Sequence, residues 1–358
     1  MKKLNEKEWE PIPMKRLFTK FVRGKVSSAS DEPKCENGVP YVGATDRNNG
    51  VIDYLKADKA KIQPGNCVTF IRDGQGSVGS SVYRATPCIA TVNTSSGYAK
   101  WLNQDTGLFV STSSNQVREK YSFGYKRKET RLLAERVMLP IDDDGKPDYG
   151  YMAQYASEMR RGMLMRYRNY VAGQLSRLEY KDIPALDEKE WKPIAIASIF
   201  RLVRGRESNM AMLEDGDVPL ISAKNSSNGL KGFVDTPNKL IRGGCITLNN
   251  DGDGGAGLAY YQPANMALDT HVTALVPKFE MSNWAMLFIA ECISGLHGFF
   301  GHGLSISNAR AKNVRVMLPV DDDGKPDYAY MEQYAKNMML RKYKQFLGFL
   351  DRSEEKGK

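Results

Sequence analysis

At 358 residues and 41% hydrophobic, the chain carries enough apolar material for two domains with ordinary cores. A net charge of +9 favours an anionic partner, nucleic acid ahead of a membrane surface. Five cysteines (Cys35, Cys67, Cys88, Cys245 and Cys292), odd in number and without a CxxC, argue against a disulfide framework or a zinc ribbon. The opening MKKLNEKEWEP has no apolar stretch after its charges, so no signal peptide is expected. WAMLFIAECI is too short for a bilayer and contains Glu291, so the chain is expected to be soluble and cytoplasmic.

Taken in order, the chain says everything twice. A first module opens at Trp9 with WEPIPMKRLFTKFVRGK, a second at Trp191 with WKPIAIASIFRLVRGRE. Trp9 matches Trp191, Phe18 matches Phe200, and Arg23–Gly24 matches Arg204–Gly205. Each opener leads to a short strand, VPYVGAT or VPLISAK, and then to a polar loop, TDRNNG or AKNSSNG. The second loop ends in an Asn228–Gly229 turn. Next come strand runs broken by Gly and Pro, IQPGNCVTFIRDGQGSVGSSVYRA and LIRGGCITLNNDGDGGAGLAYYQP, with Cys67 and Cys245 as small core residues. This is a compact β-rich module with some helix. The following stretch diverges most: Trp284 to Ile293 reads as a helix in the second module, without an evident counterpart in the first. Two copies with one frame and different interiors are expected.

Each module closes on the same words. LPIDDDGKPDYGYMAQYASEM (139–159) returns as LPVDDDGKPDYAYMEQYAKNM (318–338), identical at 16 of 21 positions, so the chain is a tandem duplication. A strand end runs into an acidic turn, Pro147 or Pro326 halts extended pairing, and Asp148 or Asp327 stands where a helix N-cap belongs. Apolar residues then recur at helical spacing: Met152, Met159, Met163, Tyr167 and Tyr170 in one copy, Met331, Tyr334, Met338, Tyr343 and Phe346 in the other. A rod of about thirty residues is roughly 45 Å long and cannot bury its stripe on one small domain. Two such rods can bury each other, as an antiparallel coiled-coil pair. The expected class is α+β, divided as module 1–147, helix 148–180, linker 181–190, module 191–326 and helix 327–358.

Catalytic signatures fail one by one. Gly74–Gly76–Gly79 and Gly252–Gly254–Gly257 both fit GxGxxG, but strand-like SVYRA and LAYYQP follow where a dinucleotide site needs a helix. They read as tight turns. The DDDG run has Pro140 where the first ligand of a calcium loop should stand. His271, His297 and His302 have no counterparts in the first module, and nothing resembles a nucleophile set, a Walker loop or a DPPY base-gripping tetrapeptide. No catalytic residue and no cofactor or metal site is expected in this chain.

What remains is polar and basic. Arg47, Asn48, Asn49, Arg72, Gln75 and Ser77 cluster at loop tips of the first module, followed by Asn115, Gln116, Arg118, Lys120, Lys126, Arg127 and Lys128. The second offers Lys224, Asn225, Asn228, Asn249, Asn250, His271, Ser305, Ser307, Asn308, Arg310 and Lys312. Arg, Asn and Gln make bidentate contacts to guanine and adenine edges, whereas Lys and Ser mostly hold phosphates. As a set at equivalent places, they point to DNA.

Two variable modules, each followed by a long helix of repeated sequence, resemble the specificity subunits of restriction–modification systems. The W-x-P opener, the DG-x-G-x-x-G turn and the LP-x-DDDGKPDY-x-YM helix start look most like the BcgI-like Type IIB branch, with Type I specificity subunits sharing the architecture. The resemblance implies that each module is a target recognition domain reading one half of a bipartite double-stranded DNA target. It implies that the helices set the gap and dock methyltransferase and endonuclease subunits, which bring S-adenosylmethionine and magnesium. A different class fits the same residues: a stand-alone sequence-specific DNA-binding protein without catalytic partners.

Overall fold

The computed structural model describes the chain apart from residues 1, 57, 75, 123, 209–211, 253, 301–304 and 356–358. It divides into two compact units, Met1–Tyr167 and Arg168–Lys358.

The first unit runs β1 (Trp9–Pro13), α1 (Met14–Leu17), β2 (Lys20–Arg23), β3 (Lys34–Val42), β4 (Val51–Leu55), β5 (Ile62–Gln63), β6 (Cys67–Ile71), β7 (Ser81–Arg84), β8 (Cys88–Ala90), β9 (Thr94–Tyr98), α2 (Gln104–Asn115), α3 (Glu129–Ala134) and β10 (Arg136–Pro140), and enters α4 (Tyr149–Leu175). Strands β2-β9-β6-β7 form an antiparallel sheet, and β4-β3-β8-β5 a second sheet in which β3 and β8 run parallel. β1 pairs antiparallel with β10, bringing Trp9 opposite Pro140 and closing the module on itself. β6 is buried at all five positions, as its apolar run requires of a central strand. β10 alternates, with Val137 and Leu139 inward and Met138 outward. Phe18, Phe70, Val110, Leu132 and Met152 share the main core.

The second unit repeats the list: β11 (Trp191–Ala195), α5 (Ile196–Ile199), β12 (Phe200–Arg204), β13 (Asp215–Ile221), β14 (Leu230–Val234), β15 (Leu240–Ile241), β16 (Cys245–Asn249), β17 (Ala259–Gln262), β18 (Met266–Leu268), β19 (Val272–Pro277), α6 (Asn283–Ser294), α7 (Asn308–Asn313), β20 (Arg315–Pro319) and α8 (Tyr328–Glu355). Its sheets, β12-β19-β16-β17, β14-β13-β18-β15 and β11-β20, copy the first set. The expectation that the divergent stretches differ is corrected at the level of their elements. Both divergent stretches fold into a twelve-residue helix followed by a six-residue one. Phe109 and Val110 of α2 and Phe288 and Ile289 of α6 enter their cores alike, whereas buried Ser111 and Ser114 stand where α6 has Ala290 and Ile293.

The acidic repeats form a turn and a cap. Asp142 Oδ1 accepts the N–H groups of Asp144 and Lys146, and Asp321 does the same for Asp323 and Lys325. Asp148 Oδ1 accepts the Tyr151 N–H at 2.9 Å while its other oxygen meets Lys7 Nζ at 2.8 Å. Asp327 repeats this with Tyr330 and Lys189, both at 2.9 Å.

The pairing stripe needs dividing. Met152 and Met331 are fully buried, but in their own modules' cores, and Tyr155 and Tyr334 pack there too. The first turns of α4 and α8 are thus plugs, because each module's core is open until they close it. Pairing belongs to later turns. In the second unit, Tyr170 meets Tyr343, Arg168 bonds Asp351, and Val171, Leu340 and Leu350 are buried. Met159, Met163, Tyr170 and Phe346 keep exposed surface. α4 also ends at Leu175, short of the expected residue 180. The chain beyond it is held by α8 instead: Gln333 donates to Glu179 O, and the Asn337 amide accepts from Lys181 N and donates to Lys181 O.

Candidate nucleic-acid interface

In each unit, three loops converge at one end of the antiparallel sheet. In the first they are the 43–50 loop after β3, the Gly-rich 72–80 turn joining β6 to β7, and the 116–128 segment after α2. Ser77 Oγ donates to Ala44 O at 2.7 Å. Arg118 spans all three, bonding Asp46 Oδ2 at 2.7 Å and the carbonyl of Gly76. Lys126 pairs with Asp73, and the Arg127 N–H donates to Arg72 O. In the second unit, Asn249 Nδ2 donates to Lys224 O at 3.0 Å, His297 Nδ1 bonds Ala256 O, and the Ile306 N–H donates to Asn250 O at 2.6 Å. Arg118 and His297 thus stand at matching places and each bonds a carbonyl of the Gly-rich turn, while only Arg118 also reaches the first loop.

The first loop owes its shape to left-handed backbone: Asn48 and Asn49 have φ of 47° and 58°, and Ser227 and Asn228 of 52° and 56°. Asparagine tolerates this region better than most residues. The loop is tied down from the sheet. Arg84 donates to Asn49 O at 2.7 Å and to Thr69 Oγ1 at 3.1 Å; Gln262 donates to Asn228 O at 2.9 Å and to Thr247 Oγ1 at 3.1 Å.

Several residues expected at the DNA face serve the fold. Ser77, Asn249 and Asn250 are buried, and Asn250 uses both ends of its amide, on Ile306 O and Thr273 Oγ1. Asn115 takes both the N–H and the carbonyl of Ser81, and Ser294 holds Ala259 in the same way. Arg127 has no exposed surface. These groups fall inside because the loops that carry them are pinned by their own polar side chains. Ser307 caps α7 through Arg310 N, Arg310 reaches Ser305 O, Lys224 Nζ donates to Leu230 O, and Asn228 Nδ2 to Tyr261 O. Gln75 lies outside the described residues, as does the side chain of Asn308.

Exposed side chains without a partner among the described residues include Arg47, Asn48, Asn49, Gln116 and Lys120 in the first unit, and Asn225 and Lys312 in the second. Arg72 is part-buried; burial, then the nearby Arg23, lowers its pKa, and its Nε and Nη1 have no protein acceptor. His271 is exposed and bonds Asp251 Oδ1 at 2.7 Å, which raises its pKa above the usual 6.5. Burial pushes the Cys245 and Cys292 thiols up to about 12 and Cys88 to about 11, so these are not nucleophiles at neutral pH. Among the described residues no group of three or more His, Cys, Asp or Glu side chains could hold a metal ion, and no helix is long and apolar enough to cross a membrane.

Sequence reading missed the Arg84 and Gln262 ties and the Arg118–His297 equivalence. The signal for the second was present: the 179-residue offset of the closing repeat aligns 118 with 297.

The family model for the Type I restriction modification DNA specificity domain matches residues 6–162 and again 188–345. The chain belongs to that family. Carrying the domain twice, it is a specificity subunit of a restriction–modification system, with two DNA recognition domains and a non-catalytic role. It is 25% identical over 328 residues to the BcgI specificity subunit of Heyndrickxia coagulans, covering 88% of this chain and 91% of that one. The Type I S subunit from M. genitalium aligns at 15% identity over 99% and 96% of the two chains with a TM-score of 0.48. The HsdS subunit from Thermoanaerobacter tengcongensis aligns at 13% over 96% and 91%, with a TM-score of 0.31.

Proposed function

We propose that each module reads one half of a split double-stranded DNA target, in a BcgI-like Type IIB system of the cytoplasm. In this reading the modules span about residues 1–147 and 191–326, and the helices that follow them set the gap between the halves. The observation that carries it is the repeated three-loop end of the sheet: one frame, its first loop tied from the sheet by Arg84 or Gln262, exposes Arg47, Asn48, Asn49 and Lys120 in one copy and Asn225 in the other. Identical frames with different tips suit two different half-sites. Joining two weak readers in one chain raises the effective concentration of the second, so the pair selects a target that neither module would hold alone.

Methyltransferase and endonuclease subunits dock on the helices in this reading, and S-adenosylmethionine and magnesium belong to them. An apolar groove of about 640 Å³ supports such docking in the first unit; Trp9, Leu108, Met138, Tyr155, Met159 and Met163 line it. The test is methylation-sensitive sequencing of host DNA with the partner subunits present, with and without this chain. A split motif methylated only in its presence is expected; unchanged methylation would refute the reading.

A further inference from the structure

The two modules hold the same loops by opposite chemistry. In the first, the fully buried guanidinium of Arg127 donates to Gly79 O at 2.9 Å, Ser81 Oγ at 3.0 Å, Ser114 Oγ at 3.0 Å and both oxygens of Glu135. Tyr121 Oη donates to Glu135 Oε2 at 2.5 Å, and Phe70 and Tyr121 flank the guanidinium at 4.9 and 5.6 Å from their ring centres. At the equivalent places of the second module stand Ile306 for Arg127, Val314 for Glu135, Ile293 for Ser114, Ala259 for Ser81 and Phe300 for Tyr121. All five belong to or pack against its apolar core. The backbone is shared: Arg127 N donates to Arg72 O as Ile306 N does to Asn250 O, and Met14 N to Glu135 O as Ile196 N to Val314 O. Five side chains have exchanged together around one frame.

A buried ion pair is often no more stabilising than apolar residues of similar volume, so stability alone does not explain the charged version. What it adds is direction. Apolar contacts fix distance loosely, whereas a guanidinium with its donors filled fixes angles. Here those donors reach the Gly-rich turn, the start of β7, the end of α2 and the residue after α3, and Tyr121, from the segment that carries Arg118 and Lys120, closes on the same Glu135.

We infer that Arg127 is the positioning residue of the first recognition module, holding its DNA-facing loops in the register needed to read their half-site. It rests on the reading that those loops touch DNA, and it makes the second module an internal control. The experiment uses the full chain with its partner subunits and duplexes bearing the methylated target, with single-base changes in one half or the other. R127I/E135V installs the second module's pair. It should fold with somewhat lower thermal stability, because the Tyr121 hydroxyl and the Gly79 carbonyl lose their partners, keep second-half discrimination, and lose about tenfold or more of first-half discrimination. A merely structural role would cost first-half binding to matched and mismatched duplexes alike, in step with the stability lost. R127K keeps the charge without the fork and should lose part of the first-half discrimination; if the double variant does not fold, R127K decides. The loop-tip variant R47A/K120A tests the underlying reading separately. If R47A/K120A weakens first-half binding while folded R127I/E135V or R127K discriminates like the parent, the inference is overturned. If R47A/K120A also changes nothing, it is the contact reading of these loops that falls.

Discussion

Tyr170 and Tyr343 meet edge to face in the second unit, ring centroids 6.4 Å apart and planes at 84°. With Arg168 on Asp351 and Lys181 on Asn337, the contacts descend α8 as the other strand of chain ascends, which is antiparallel packing. If such packing sets the gap between half-sites, length added to both helices should widen it. Inserting four residues after position 171 in α4 and four at the facing turn of α8 adds about 6 Å, roughly two base pairs. The methylated motif should keep both halves and change only its gap.

The caps of the long helices should be worth measurable stability. Burial alone would raise the Asp148 pKa, but Lys7 and the Tyr151 and Gly150 N–H groups prevail and hold it below the usual 3.8. A carboxylate with a lowered folded pKa contributes stability that is complete above the unfolded value and fades as pH falls through the folded one. Asp148→Ala should cost about 1–2 kcal/mol in urea unfolding near neutrality. The parent and the variant should converge in stability only well below pH 4, where the cap is protonated in both states.

His271 should titrate above its ordinary value. Its bond to Asp251 is the main cause, opposed by burial. A raised folded pKa means the charge is fully present below the ordinary 6.5 and is lost as pH rises through the folded value. Binding of the second half-site should therefore weaken over that range while the first half-site does not. Asp251→Asn should return the His271 titration, followed by NMR, toward its ordinary position. Identical pH profiles for both halves would contradict a DNA contact by His271.

Arg47 and Lys120 are exposed and uncommitted, as phosphate contacts require. Each alanine substitution should lower the slope of log K against log salt by about one if the side chain meets a phosphate. A change confined to one base of the first half would assign a base edge instead.

The duplication, the capped helices and the turn character of the Gly-rich runs were legible because each rests on local sequence: a repeat, an Asp before a helix, strands where a helix would be needed. The likeness of the divergent stretches was not, because α2 and α6 keep few residues in common, Phe109 and Phe288 among them, and differ even at buried positions such as Ser114 and Ile293. The contact set was only half legible. Composition draws Asn250 and Asn48 into one class; burial separates them, one bonded at both ends inside the module and the other bare at a loop tip. The helix stripe misled for a related reason. Spacing shows that Met152 and Met163 share a face, but not that the module core takes the first and leaves the second outside.

The most direct measurement exchanges one module. The first module, with its own closing turn, is replaced by that of a relative with a different target, and host DNA is sequenced for methylation with the partner subunits present. The account expects one half of the split motif to change while the other half and the gap persist. A motif that changes in both halves, or in neither while methylation continues, would contradict two modules reading two half-sites independently.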